Sequence, residues 1–145
     1  GRVRASGARQ SSRGGGRNEL DHAEIIALRQ LYQMGRLPGR GLTLYGTMEP
    51  CLMCFAALIL AGVDTIVFAY EDGMIGGTGC DLCSLPALYR QRRPRIVEGV
   101  LRQESLARFQ AFFGDPQNDY WRGSALATYT LSQKLDTPGS GVGSA

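Results

Sequence analysis

The residue types best suited to chemistry in this chain are few. Its single histidine, His22, is followed two places later by Glu24, and Pro50 introduces two cysteines, Cys51 and Cys54, in the segment PCLMC. Two cysteines at positions i and i+3 project from one face of a helix, and the start of a helix lowers the pKa of a thiol placed there. Two thiolates and a neutral imidazole make three protein ligands. For zinc that is the catalytic number, because the fourth tetrahedral position stays with water, whose pKa falls to about 7. The thiolates also balance the charge of the ion. Glu24 is then left as a carboxylate that moves protons between water and substrate, without being a ligand itself.

A lone histidine at the start of a helix is usually a cap or a core residue, so His22 gains its meaning from the cysteines. A second C-x-x-C pair, Cys80 and Cys83 in CDLC, allows a rival reading: a structural four-cysteine zinc module with no chemistry. That rival requires turns around each pair. The residues LMCFAALILA read instead as a buried helix, and the rival leaves HAE unexplained, so Cys80 and Cys83 are expected to be ordinary buried thiols.

The elements that must position these residues follow from periodicity and punctuation. ELDHAEIIALRQLYQMG carries apolar residues at helical spacing, has an acidic start and ends at Gly35. LTLYGTM, residues 42 to 48, alternates as a strand does and runs into EPCLMCFAALILAG, a helix with Pro50 in its first turn and Gly62 at its end. DTIVFAY is a near-continuous apolar strand of the buried parallel kind, followed by a flexible loop, GMIGGTGC. LPALYRQRR predicts a short helix and RIVEGVL a strand. RQESLARFQAFFG and DYWRGSALATYTLSQKL predict two further helices, and the stretch GDPQNDYWRGSALATYTLSQ between and within them is neutral to acidic, aromatic and suited to packing. At the N-terminus RVRAS reads as an edge strand and SSRGGGRN as a loop. Alternating strands and helices imply a three-layer α/β/α sandwich around a mostly parallel sheet. One domain over residues 1–135 and a disordered tail over 136–145 are expected.

Composition narrows the function classes. With 145 residues, 43% hydrophobic and 20% charged, the chain is long enough for a single core. No apolar run approaches the ~18–20 residues that cross a bilayer, and no signal-peptide core is present, so no membrane association and a cytoplasmic location are expected. The net charge of +3 favours a polyanionic partner only weakly. Candidate phosphate contacts are Arg9, Arg13 and Arg17 in the N-terminal loop and the cluster Arg90, Arg92, Arg93 and Arg95.

TMEPCLMC, DHAEIIALRQ and RIVEGVLRQESLARFQAFF resemble the bacterial tRNA-specific adenosine deaminases within the zinc-dependent cytidine deaminase-like superfamily, over about residues 20 to 113. HAE and PCxxC match the H-x-E…P-C-x-x-C signature of zinc deaminases. The resemblance implies one zinc ion per chain on His22, Cys51 and Cys54, proton transfer by Glu24, and substrate contacts by Ala23, Met48, Glu49 and Asp72. Asp72 is equally readable as a solvated acid at a strand end, and Met48 as core. The implied activity is conversion of adenosine to inosine at the wobble position of a tRNA anticodon stem-loop, by a homodimer. The alternative is a deaminase of a free nucleobase or nucleoside such as guanine, cytosine or cytidine, since the catalytic core does not encode substrate size. Against the family pattern the chain lacks the first helix and first strand, so either the sequence is N-terminally incomplete or RVRAS pairs directly with LTLYG. The asparagine with which the family holds the base has Arg9, Gln10 or Asn18 as candidate counterparts.

Overall fold

A computed structural model describes residues 1–9, 18–35 and 41–136. The predicted turn at LPGRG up to Arg40, most of the SSRGGGRN loop and the tail beyond Asp136 lie outside these residues, as do Gln10, Arg13 and Arg17. The described elements are α1 (Ala23–Gln33), β1 (Thr43–Met48), α2 (Leu52–Leu60), β2 (Thr65–Tyr70), α3 (Ala87–Gln91), β3 (Arg95–Val97), α4 (Arg102–Gly114) and α5 (Ala125–Ser132).

The three strands form a parallel sheet in the order β1-β2-β3. Leu44 lies opposite Ile66 and Met48 opposite Tyr70, while Ile66 also lies opposite Ile96. β2 is buried at every position from Ile66 to Tyr70, as a central strand covered by helices on both faces must be. Its run of Ile, Val and Phe supplies the β-branched and aromatic side chains that suit this place. Leu28 of α1, Phe55, Leu58 and Ile59 of α2, Val63, Ile66 and Phe68 make one core. Tyr70, Leu106 of α4 and Leu126 of α5 make the other, with Met48, Phe109, Phe113, Trp121 and Tyr129 packed around them. Burying each such Leu, Ile or Phe stabilises the fold by ~1.5–3 kcal/mol. The α/β/α layering read from the sequence is therefore the observed one.

Several boundaries differ from the periodicity, each for a local reason. α1 begins at Ala23, because Asn18 closes a turn ahead of it by accepting from the Leu20 amide at 3.1 Å. Pro50 stands before the helix and Cys51 is the N-cap of α2, so the proline ends the strand instead of starting the helical turn. The predicted strand RIVEGVL is paired only over Arg95–Val97, since Gly99 and Leu101 adopt left-handed φ values of 78° and 60°. The last helix starts at Ala125, where the Ser124 hydroxyl accepts from the Ala127 amide at 3.1 Å, after Trp121 and Gly123 have turned the chain through positive φ.

The RVRAS segment is not a strand. The Ser6 amide donates to Gln30 Oε1 at 2.9 Å, and a Cβ on Gly7 would lie 2.0 Å from the Ala23 carbonyl oxygen. The segment therefore lies against α1, where only a glycine permits so close an approach, and its pairing with LTLYG is excluded. On β1, Thr43, Tyr45 and Thr47 are exposed among the described residues.

Candidate active site

His22 immediately precedes α1 in extended backbone, and Cys51 does the same for α2, so each helix presents its N-terminal end to one place. Cys54 follows at the third residue of α2, one turn above Cys51. The ligand atoms of His22, Cys51 and Cys54 all lie within 4.8 Å of one another. Cys51 Sγ is 3.4 Å from His22 Nδ1, which identifies the ring nitrogen that faces the sulfurs. Both cysteines are buried free thiols.

The two sulfurs hold one another's protons unequally. Cys51 is lowered to about 6, first by the hydrogen bond from Cys54 and further by backbone amides and His22, against the cost of burial. Cys54 is pushed up by the same bond to Cys51, by burial and by the nearby Glu24 carboxylate. Two buried sulfurs and an imidazole nitrogen at this separation fit a divalent ion held ~2.0–2.3 Å from each ligand, and the paired thiols supply its counter-charge. The residues present therefore suit zinc. Among the described residues this is the only group of three or more such side chains. Cys80 and Cys83 are not part of it.

Cys80 is half-buried and Cys83 is exposed, so the expectation of two buried thiols is corrected for Cys83. Arg93 Nη2 donates to Cys83 Sγ at 2.7 Å, in the middle of the short helical turn Leu82–Ser84.

The loop after β2 closes over the start of α2. Glu49 Oε1 accepts from the Thr78 amide at 3.0 Å and the Thr78 hydroxyl at 2.5 Å, while Glu49 Oε2 accepts from the Asp72 amide at 3.2 Å. Asp72, nearly buried, accepts from the amides of Met74 and Ile75 at 3.0 and 3.1 Å. GMIGGTGC is thus pinned at both ends, and the expected flexible loop is a fixed one. A Cβ on Gly77 would sit 2.6 Å from Leu52 N, so the backbone crosses the N-terminus of α2 in direct contact. Gly76, Gly77 and Thr78 carried no expectation from motif or spacing, although a pair of adjacent glycines in the loop after a buried strand is a signal of such a crossing.

The remaining sequence candidates fall at the rim of the same place. Ala23 is the first residue of α1, beside His22 and Glu24. Met48 ends β1 and packs into the second core. Of the candidate counterparts to the family asparagine, Asn18 caps its turn, whereas Arg9 Nη1 lies 2.8 Å from His22 Nε2. At the end of β2, Glu71 binds Arg102 at the start of α4 through both carboxylate oxygens and accepts from Tyr129 of α5 at 2.7 Å. The Arg102 guanidinium holds the Glu71 carboxyl down at about 2, with Tyr129 assisting against the cost of burial.

Residues 1–70 match the cytidine and deoxycytidylate deaminase zinc-binding region. The tRNA-specific adenosine deaminase of Bacillus subtilis is 33% identical over 95 residues, which is 65% of this chain and 59% of that protein. That of Haemophilus influenzae is 34% identical over 95 residues, 63% of this chain and 54% of that protein. The chain therefore spans somewhat more than half the length of these relatives. A solved structure of guanine deaminase from Nitrosomonas europaea is 28% identical, covers 63% of this chain and 56% of its own, and has a TM-score of 0.47. The histidine and cysteines brought together at one end of the sheet thus lie within the part of the chain, residues 1–70, that is similar to the cytidine and deoxycytidylate deaminase zinc-binding region.

Proposed function

We propose that the chain is a hydrolytic deaminase that converts adenosine to inosine at the wobble position of a tRNA anticodon stem-loop. The observation that carries this reading is the convergence of His22, Cys51 and Cys54 with Glu24 close enough to influence Cys54. The tRNA-specific adenosine deaminases to which the chain is similar support the choice of base and of RNA. One zinc ion per chain, held by the three residues, supplies a water acidified towards neutrality.

Glu24 then works on protons. Its carboxylate takes one from the water as oxygen adds to C6, delivers it to N1, and passes a second to the amino group as that leaves, so adenosine and water become inosine and ammonia. Ala23 and Glu49 offer backbone groups to the base, and Met48 an apolar wall. The resemblance implies a substrate contact for Asp72, but its carboxylate already accepts two loop amides, which supports the reading of a residue that shapes the rim. An anticodon loop suits such a site because its bases can be splayed out of the stack.

A second reading, deamination of a free nucleobase or nucleoside, is favoured by one observation. Arg92 Nη1 donates to the carbonyls of Ile59 and Leu60 at the end of α2, and Arg93 is engaged with Cys83, so half of the arginine cluster serves the fold. Release of ammonia from an anticodon stem-loop, set against release from guanine, cytosine or cytidine by the same zinc-loaded chain, separates the two.

The same proposal includes a single deaminase domain over residues 1–135, a cytoplasmic location and a homodimer. No helix among the described residues is long and apolar enough to cross a membrane. A groove of about 480 Å³ between α1 and α2, lined by Ile25, Leu28, Tyr32, Ala57 and Leu60, supplies an apolar face for the second copy. Leu60→Glu should convert a dimer to monomer in sedimentation.

A further inference from the structure

Behind the candidate metal ligand His22 stands a compact cluster. Arg9 Nη1 donates to His22 Nε2 at 2.8 Å, and Nη2 of the same guanidinium pairs with the Glu19 carboxylate. The guanidinium also lies 5.3 Å from the ring centre of Tyr120 and 5.5 Å from that of Trp121, which stack on each other. Among the described residues the Tyr120 hydroxyl is buried with no hydrogen-bond partner.

This arrangement conflicts with metal binding by the nitrogen that faces the sulfurs. A neutral imidazole that gives its Nδ1 lone pair to an ion carries its hydrogen on Nε2, and an arginine has five donors and no acceptor. Two donors cannot share the 2.8 Å contact. Metal-ligating histidines donate their other ring N–H to a carboxylate, a carbonyl or water. The carboxylate on the Nε2 side of the ring is Glu19, one guanidinium's width away, since the same Arg9 touches both groups.

We propose that Glu19 is the positioning residue for His22 in the zinc-loaded chain, accepting the Nε2 hydrogen, and that Arg9 is displaced from His22 as the ion binds. The inference rests on the zinc site proposed above, but not on the substrate or the reaction. Its consequence is that metal loading reaches the turn at Tyr120 and Trp121 through the cation held against those rings. The unpartnered Tyr120 hydroxyl is a donor available to the same carboxylate once Arg9 has moved.

The test needs no turnover. Trp121 is the single tryptophan of the chain, so its emission, excited beyond the absorption of the tyrosines, reports on the cluster. Zinc added to the metal-free protein should change that emission at one equivalent, and Arg9→Met should abolish the response while zinc still binds. Competition with a chelator should show zinc held ~10–100-fold less tightly by Glu19→Ala, with part of the loss recovered in Glu19→Asp. Glu19 is half-exposed, and the metal-free melting temperature of its variants should stay near that of the unaltered chain, as a purely structural role would not allow. An emission unchanged by zinc, a response that survives Arg9→Met, or undiminished zinc affinity in Glu19→Ala each overturns the proposal. Failure of His22→Ala to lose zinc would instead overturn the zinc site on which it stands.

Discussion

At the scale of single residues, ligand and catalyst are separable by experiment. His22→Ala, Cys51→Ser and Cys54→Ser each remove one of three ligands and should abolish stoichiometric zinc by elemental analysis, whereas Cys80→Ser and Cys83→Ser should leave it at one ion per chain. The contrast is sharp because the second cysteine pair lies outside the cluster, with Cys83 turned to solvent beside Arg93. What was readable in the sequence at this scale is the donor set itself, because H-x-E and P-C-x-x-C fix residue type and spacing together. The use of Asp72 and Glu49 was not readable. Both are carboxylates near the site, but their hydrogen bonds to Met74, Ile75 and Thr78 depend on how the loop returns across α2, which local sequence does not specify.

At the scale of elements, two contacts decide whether the site stays assembled. Gly77→Ala would drive a Cβ to 2.6 Å from the Leu52 backbone, so the loop must lift away from the helix that carries Cys54. Overpacking of this kind costs ~1–3 kcal/mol and should appear as a lower melting temperature together with weaker zinc affinity in chelator competition. The second contact is the Glu71–Arg102 pair, which ties β2 to α4 and, through Tyr129, to α5. Glu71 falls from an ordinary 4.5 to about 2 in the folded chain, so its stabilisation is complete above pH ~4.5 and is lost as pH falls from there towards 2. Discounted for its partial exposure, Arg102→Met should cost ~1–2 kcal/mol at pH 7, or about 2–8 °C in melting temperature, and the difference should shrink below pH 3. Strands and helices were legible wherever a buried face imposed a period. RVRAS misled because its alternation is compatible with a strand, while the contact that places it, Gly7 on the Ala23 carbonyl, has no periodic signature. The end of RIVEGVL was hidden for a related reason: Leu101 holds a left-handed backbone that a leucine does not announce.

At the scale of the whole molecule, the question is what the site receives. An RNA substrate must meet cations, and with Arg92 capping α2 and Arg93 engaged with Cys83, the exposed Arg90 and Arg95 are the members of the cluster best placed to meet phosphates. Binding of an anticodon stem-loop should weaken with salt at a logarithmic slope near −0.7 per phosphate neutralised, and Arg90→Ala with Arg95→Ala should flatten it. A KM for a free base that ignores both salt and these arginines would favour the second reading instead. The central claim, that this is a zinc-dependent deaminase driven by Glu24, is tested most directly by ammonia release from an adenosine-bearing anticodon stem-loop, comparing the zinc-loaded chain with Glu24→Ala at equal zinc content. Inosine and ammonia are expected in equal amounts from the unaltered chain, with a rate lower by ~10²–10⁴-fold in the variant. Equal rates in the two proteins, or no ammonia from this or any purine or pyrimidine substrate, would contradict the claim.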